Sequence, residues 1–217
     1  MAGWLDTAFH GFDYAILGFW HSVAKVMGGF MTPFMNFVSF FGYHGLCMIA
    51  VGVILLLFKK TRRHGVTALI AILFGFITTN LFLKKVIARP RPYTRSEYAS
   101  WWEFVGAVKE SKNSFPSGHT TVATDTLIAI FLVSKNKKIS WLCIVGSLLM
   151  GASRNYLQVH YATDVIGGLI VGWTMSTASF FLVRWLFSIM EKHKETAFCK
   201  FVLNACILDL FKKKKQQ

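Results

Sequence analysis

Five runs of apolar residues, at 42–58, 66–83, 119–134, 139–152 and 163–187, approach the ~20 residues a helix needs to cross a hydrocarbon layer. Backbone N–H and C=O groups left unpaired in hydrocarbon are too costly, so only helices and closed barrels can span it. No strand-length pattern of alternating polarity points to a barrel. The expected fold class is all-α, a polytopic membrane helical bundle with five to six transmembrane helices. Composition agrees: the 217-residue chain is 54% hydrophobic and only 16% charged, against roughly 45–50% and about 25% in soluble domains.

Residues 1–41 carry a different pattern. Ile16, Trp20, Val23, Met27, Phe30, Phe34, Val38 and Phe41 recur at helical spacing, while His21, Lys25, Thr32 and Asn36 occupy the other side. A lysine near the middle of a span costs about 2.5–3.5 kcal/mol. The segment is therefore either an interfacial or bundle-packed amphipathic helix or a sixth span, and Pro33 is expected to break or kink it. No basic leader precedes a short apolar core, so insertion is expected to use the mature helices. Cys47 and Cys143 lie in apolar runs, where a thiol acts as a small hydrophobe. Cys199 and Cys206 fit neither a disulfide framework nor a zinc pattern, so no metal or redox role is expected.

Against this apolar background, 24 Lys and Arg oppose 10 Asp and Glu, a net charge of +14. Four basic residues lie at 59–63, three at 135–138 and seven from Lys192 to Lys215. If these segments face the cytoplasm they obey the positive-inside rule, and alternation then sends 84–117 and 153–162 to the outer face. The first of those loops breaks the rule, with seven basic residues: Lys84, Lys85, Arg89, Arg91, Arg95, Lys109 and Lys112. Positive charge held against topological preference points to anion binding.

Three clusters share that face: KKVIARPRP at 84–92, PSGH at 116–119 and SRNYLQVHYATD at 153–164. They combine basic donors, two histidines and one acid, without a Cys/His set for a metal. His160 and Asp164 are spaced i, i+4 and share a face if a helix starts near His160. Asp164 would then accept the Nδ1 proton and leave Nε2 as a nucleophile. Ser117 is placed to cap a helix whose first N–H groups face a phosphoryl oxygen, and Gly118 allows close backbone approach. His119 is a candidate general acid for the leaving group. Lys84, Arg91 and Arg154 would neutralise equatorial oxygens. This chemistry requires no metal and no cofactor.

These motifs, K-x6-RP, PSGH and SR-x5-H-x3-D, resemble those of membrane members of the type 2 phosphatidic acid phosphatase (PAP2) superfamily, related in their site to vanadium haloperoxidases. Lys84 with Arg91-Pro92 gives the required spacing; Lys85 falls one residue short, and Arg89-Pro90 would need a lysine where Phe82 stands. The resemblance implies that His160 forms a phosphohistidine, that Asp164 orients it and that His119 protonates the leaving group. Lys84, Arg91, Ser117, Gly118 and Arg154 would hold the phosphate. The chain then divides into residues 1–41, an amphipathic segment or first span; 42–190, a PAP2-type catalytic transmembrane domain; and 191–217, a basic amphipathic cytoplasmic tail.

The expected function is an integral membrane lipid phosphate or diphosphate phosphatase of the plasma membrane, its site at the outer face and its C-terminus cytoplasmic. Undecaprenyl diphosphate is the favoured substrate, because small bacterial members of the family with an outward site recycle that carrier. Phosphatidylglycerophosphate and phosphatidic acid are the alternatives, as is a phosphotransferase using the same phosphohistidine. A third class is a non-enzymatic lipid-binding or transport protein on the same scaffold, against which the intact His160, His119 and Asp164 argue. The expected partners are the lipid substrate and membrane lipids. Nucleic acid is not among them, since nothing beside the basic tail would stack bases or read a groove. Asp125, inside the third apolar run, reads as a polar contact facing the bundle, and the aromatic stretch 93–102 as an interfacial anchor or a substrate lip.

Overall fold

A computed structural model describes residues 2–110 and 113–204; the basic run at 212–215, Lys112 and Cys206 lie outside the described residues. The described chain is helical, with a single isolated bridge, Pro90 to Asn113, as its extended pairing. A short α1 (Ala2–Ala8) precedes the long α2 (His10–Phe40). The chain turns at residues 41–45, where His44 has φ 49° and Gly45 φ 71°, and continues as α3 (Leu46–Leu57). Three apolar helical stretches are long enough to cross a membrane: His10–Leu57 with its turn, Arg62–Ile87 and Ala162–Lys192; Gly118–Val133 is a shorter apolar helix.

The N-terminal segment behaves as part of the bundle. Asp13, Leu17, His21, Ala24, Met35 and Ser39 are buried along α2, while Phe19, Phe30 and Phe37 are about 60–70% exposed. Polar groups inward and phenylalanines outward is the arrangement expected where the solvent is lipid. Pro33 does not end this helix as expected. A proline removes one hydrogen bond, and packing on either side holds the helix through it: Thr32 Oγ1 bonds the Tyr156 hydroxyl at 2.7 Å and Met35 is buried.

The second hairpin arm, α4 (Arg62–Phe76), opens into wider π turns over Ile77–Leu83 and closes as α5 (Lys84–Ile87). It stops at Ala88, which adopts φ 49°, just before Arg89-Pro90-Arg91-Pro92, where two prolines force extended backbone. The aromatic stretch proves to be a helix, α6 (Ser96–Val105). It packs inward: Tyr98 is 1% exposed and Trp101 stacks on His21 of α2, ring centroids 5.1 Å apart.

At the centre runs α7 (Gly118–Val133), followed by α8 (Lys137–Tyr156), α9 (Ala162–Lys192) and α10 (Ala197–Asn204). Close approach of α7 to α9 depends on missing side chains. A Cβ on Gly168 would stand 2.8 Å from the Ser117 carbonyl oxygen, and one on Gly172 would stand 2.5 Å from Thr124 Cβ. Small residues at such contacts let membrane helices pack where lipid and side chain are equally apolar.

Candidate active site

The eight residues singled out from the motifs converge at one end of the bundle. Ser117 caps α7, its Oγ accepting from Thr120 N at 3.4 Å and from Thr120 Oγ1 at 2.9 Å. The first N–H groups of that helix, on Gly118 and His119, have no partners within the helix, and both residues line a cavity of about 1140 Å³. Lys84 and Arg154 line it too. A Cβ on Gly118 would meet only Lys84 Nζ, at 3.5 Å, and Asn80 Oδ1, at 3.9 Å. These are ordinary contacts, so what Gly118 keeps open is cavity space and not a tight protein fit.

His160 lies outside α9, whose N-cap is Tyr161. The expected shared helical face is therefore replaced by another geometry. Asp164, in the first turn, reaches back over the helix start: its Oδ2 accepts from Tyr161 N at 2.9 Å and stands 3.4 Å from His160 Nδ1. The other nitrogen, Nε2, is 3.0 Å from Arg91 Nη1, which also donates to the Val159 carbonyl at 2.9 Å. Burial, reinforced by the neighbouring Arg91 charge, holds the His160 imidazole below its ordinary pKa. It is thus neutral near pH 7, as a nitrogen nucleophile must be.

Glu110 was not among the expected site residues, yet its carboxylate occupies the middle of the basic cluster. Oε2 is 3.0 Å from Arg91 Nη1 and 3.7 Å from His160 Nε2, and Oε1 pairs with Arg154 and lies 3.8 Å from His119 Nδ1. Its backbone is pinned by Tyr93, whose hydroxyl donates to the Glu110 carbonyl at 3.0 Å and accepts from its N–H at 3.2 Å. Burial by itself would push the carboxyl up, but the Arg154 charge paired with it keeps it well below the usual carboxylate range. An ionised carboxylate therefore sits where the cations are arranged to receive an anion.

Arg89, set aside on spacing, is also at the site, on the far side of Asp164 from His160. Its Nη1 donates to Asp164 Oδ1 at 2.8 Å. Among the described residues no group of three or more His, Cys, Asp and Glu side chains is set as metal ligands.

The PAP2 superfamily profile matches residues 65–188, and the chain belongs to that family. Curated proteins similar to the chain include undecaprenyl-diphosphatases, a phosphatidylglycerophosphatase and lipid A phosphatases. An undecaprenyl-diphosphatase from Sulfolobus acidocaldarius is 30% identical over 145 residues, 65% of this chain and 66% of that protein. Phosphatidylglycerophosphatase B from Bacillus subtilis is 40% identical over 114 residues, 48% of this chain and 49% of its own length. The chain thus spans about half to two thirds of the length of these relatives. The crystal structure of a transmembrane PAP2-type phosphatidylglycerolphosphate phosphatase from Bacillus subtilis superposes with a TM-score of 0.62 at 27% identity, covering 88% of this chain and 89% of that one. The fold also matches LpxE from Aquifex aeolicus, with a TM-score of 0.57 at 20% identity over 75% of this chain and 93% of that one. The protein is a helical membrane protein of the PAP2 superfamily.

Proposed function

We propose that this protein hydrolyses a lipid phosphate or diphosphate through a phosphohistidine on His160. The observation that carries the reading is the continuity of the cavity. Lys84, His119 and Arg154 line the same cavity as the apolar Phe40, Leu73, Phe76 and Val122. A site of this size, apolar with a few convergent polar groups, accepts an amphiphile held by its charged end.

In the first half-reaction Nε2 of His160 attacks phosphorus, a P–N bond forms, and the P–O bond to the lipid breaks. His119, its pKa held down to about 3 by burial and the Arg154 charge, takes up a proton once the anionic phosphate is bound and gives it to the departing oxygen. Arg91, Arg154, Lys84 and the N–H groups opening α7 take up the charge on the remaining oxygens. Asp164 keeps the Nδ1 proton in place and stabilises the imidazolium character that develops. In the second half-reaction water attacks the phosphohistidine, His119 accepts its proton, and orthophosphate leaves. The chain's own residues supply every group these steps use, so activity is expected to survive EDTA. Loss in EDTA that a divalent metal restores would contradict this.

Undecaprenyl diphosphate remains the favoured substrate, supported by the likeness to the Sulfolobus undecaprenyl-diphosphatase. Phosphatidylglycerophosphate is the second reading, favoured by the 40% identity to phosphatidylglycerophosphatase B; phosphatidic acid is a third. The site is assigned to the outer face of the plasma membrane and the C-terminus to the cytoplasm on the distribution of Lys and Arg. Residues 42–190 then form the catalytic domain, preceded by 1–41 as an amphipathic segment or first span and followed by the basic tail. The deciding experiment is turnover of the three lipids by purified protein in nanodiscs without an acceptor. Steady orthophosphate release with about a hundredfold preference for one lipid fixes the substrate; no release without an added acceptor alcohol means a phosphotransferase.

A further inference from the structure

Arg89 makes no contact with the cavity and is fully buried, yet every edge of its guanidinium is used. Besides Asp164 Oδ1, Nη1 donates to Thr163 Oγ1 at 2.7 Å; Nη2 donates to Asp13 Oδ2 and Nε to Asp6 Oδ1, both at 2.8 Å. The guanidinium carbon lies 3.9 Å over the Tyr161 ring. Asp13 closes the circuit, its Oδ1 accepting from Thr163 N at 2.9 Å. Asp6 is shared with Arg95. Two helix starts are joined here: that of α9, which carries Asp164, and the N-terminal α1–α2 stretch, which precedes the 65–188 match to the family.

We infer that Arg89 is a positioning residue for the hydrolysis, clamping the Asp164 carboxylate behind His160, and that Asp13 and Asp6 of the N-terminal helices lock Arg89 in that pose. The inference rests on the reading of His160 as nucleophile. The physical basis is the count of lone pairs on one fully buried carboxylate. Oδ2 is committed to Tyr161 N and faces His160 Nδ1, so Oδ1 needs a donor of its own. Arg89 is that donor and the compensating charge, without which a buried anion is strongly destabilising. The planar fork, held on its other nitrogens by Asp13 and Asp6, presents Nη1 to Oδ1 from a fixed direction, which a point charge on a flexible stem does not.

The charge acts on His160 as well. Facing that imidazole are Asp164, Arg91 and Glu110, with Arg154 and His119 beyond Glu110, and Arg89 with its acids beyond Asp164. Removing the Arg89 charge leaves Asp164 more basic, so His160 takes up a proton at higher pH. The acid limb of kcat against pH then moves upward. A residue that serves only to hold the fold together would lower yield or melting temperature without moving that limb.

The test compares Arg89→Gln, Arg89→Lys, Asp13→Asn and His160→Ala in the full-length protein, measuring kcat, KM, vanadate inhibition and the pH profile. Arg89→Gln is expected to lower kcat roughly tenfold to a hundredfold, the range seen when the outer partner of a metal-bound histidine is lost, while KM and the vanadate constant stay within about threefold. The acid limb shifts to higher pH, Arg89→Lys restores part of kcat, and Asp13→Asn repeats the pattern more weakly. Should Arg89→Gln fail to fold, Asp13→Asn decides, because it leaves Arg89 and Asp164 in place. Wild-type kcat and an unmoved limb in a folded variant overturn the inference, as does a loss confined to KM. If His160→Ala keeps its activity, the reading of the reaction fails instead, whatever Arg89 does.

Discussion

The Glu110 carboxylate stands 3.7 Å from Nε2 of His160, in the space an attacked phosphoryl group has to enter. It also holds Arg91 and Arg154, so a substrate must displace one anion to bind another. An apparent affinity is reduced by the fraction of molecules whose site is open. Glu110→Gln removes the competing charge, since a neutral amide binds guanidinium more weakly than a carboxylate does. The inhibition constants of vanadate and orthophosphate are expected to fall about tenfold, or roughly 1.4 kcal/mol. If the acid instead keeps the arginines in shape, the same titration gives a rise.

His119, at the mouth of the site and 15% exposed, is assigned to leaving-group protonation. Loss of a general acid matters in proportion to the basicity of what leaves, and costs typically 10²–10⁴-fold. His119→Ala is therefore expected to cut monoester hydrolysis, which expels an alkoxide, by about that factor. Cleavage of a lipid diphosphate, which expels a phosphate ester, is expected to lose far less. Rates for paired monophosphate and diphosphate lipids of one chain length check this; equal losses would remove His119 from the protonation step.

The pH dependence follows from two buried groups. Because burial, with Arg91, lowers His160, its reactive neutral form persists below the ordinary value of about 6.5. The acid limb of kcat/KM should accordingly lie under pH 6.5. For stability the signs agree. The unfolded chain protonates His160 first, so stability begins to fall as pH drops through about 6.5. Glu110, held low by its cationic partners, contributes above its unfolded value near 4.3, and that contribution is lost on further acidification. A rate profile and melting curves from pH 4 to 9 measure both, and an acid limb above pH 7 would contradict the assignment.

Much of this was legible because hydrocarbon solvent leaves a blunt signature and because each of the three motifs is a short, local stretch of chain. What escaped is instructive. The excess of Lys and Arg is the conspicuous charge in this sequence, whereas its 10 acids are the scarcer signal. Four of them, Asp6, Asp13, Glu110 and Asp164, meet at this site. Asp6 and Asp13 are seven residues apart, a helical repeat in an otherwise apolar stretch, and that spacing was available. Glu110 had no such mark, since its role depends on how the loop after α6 folds back under Tyr93. The His160–Asp164 pair was found by a spacing argument that assumed one helix, yet Asp164 reaches its partner by bending back over the helix start.

Packing of the PSGH turn rests on the bare backbone of Gly168. A methyl group there would lie 2.8 Å from the Ser117 carbonyl oxygen and 3.0 Å from Thr120 Cβ, so Gly168→Ala must push α7 outward. Overpacking of this kind costs typically 1–3 kcal/mol. Because the displaced residues carry the helix start beside His119, phosphate release is expected to fall together with the melting temperature. Unchanged activity in Gly168→Ala would mean that the turn adapts independently of α9.

Asp125 faces the interior as its sequence position implies, but without the polar contact expected of it. It is 1% exposed, and neither carboxylate oxygen has a hydrogen-bond partner among the described residues; the carboxyl rests against Gly75, where a Cβ would come within 1.9 Å of Oδ2. A buried polar group left unpaired costs about 1–3 kcal/mol, more if charged. Asp125→Val, close in size and apolar, removes the unpaired carboxyl and should therefore raise the melting temperature, at about 2–4 °C per kcal/mol for a chain of this size. The residue lines the cavity six positions along α7 from His119, about 9 Å by helical rise, which is beyond the reach of the reacting phosphorus. Phosphate release is thus expected to stay within about threefold of wild type. A more stable variant whose turnover of a long-chain lipid collapses, while that of a short-chain phosphate survives, would assign Asp125 to the lipid instead.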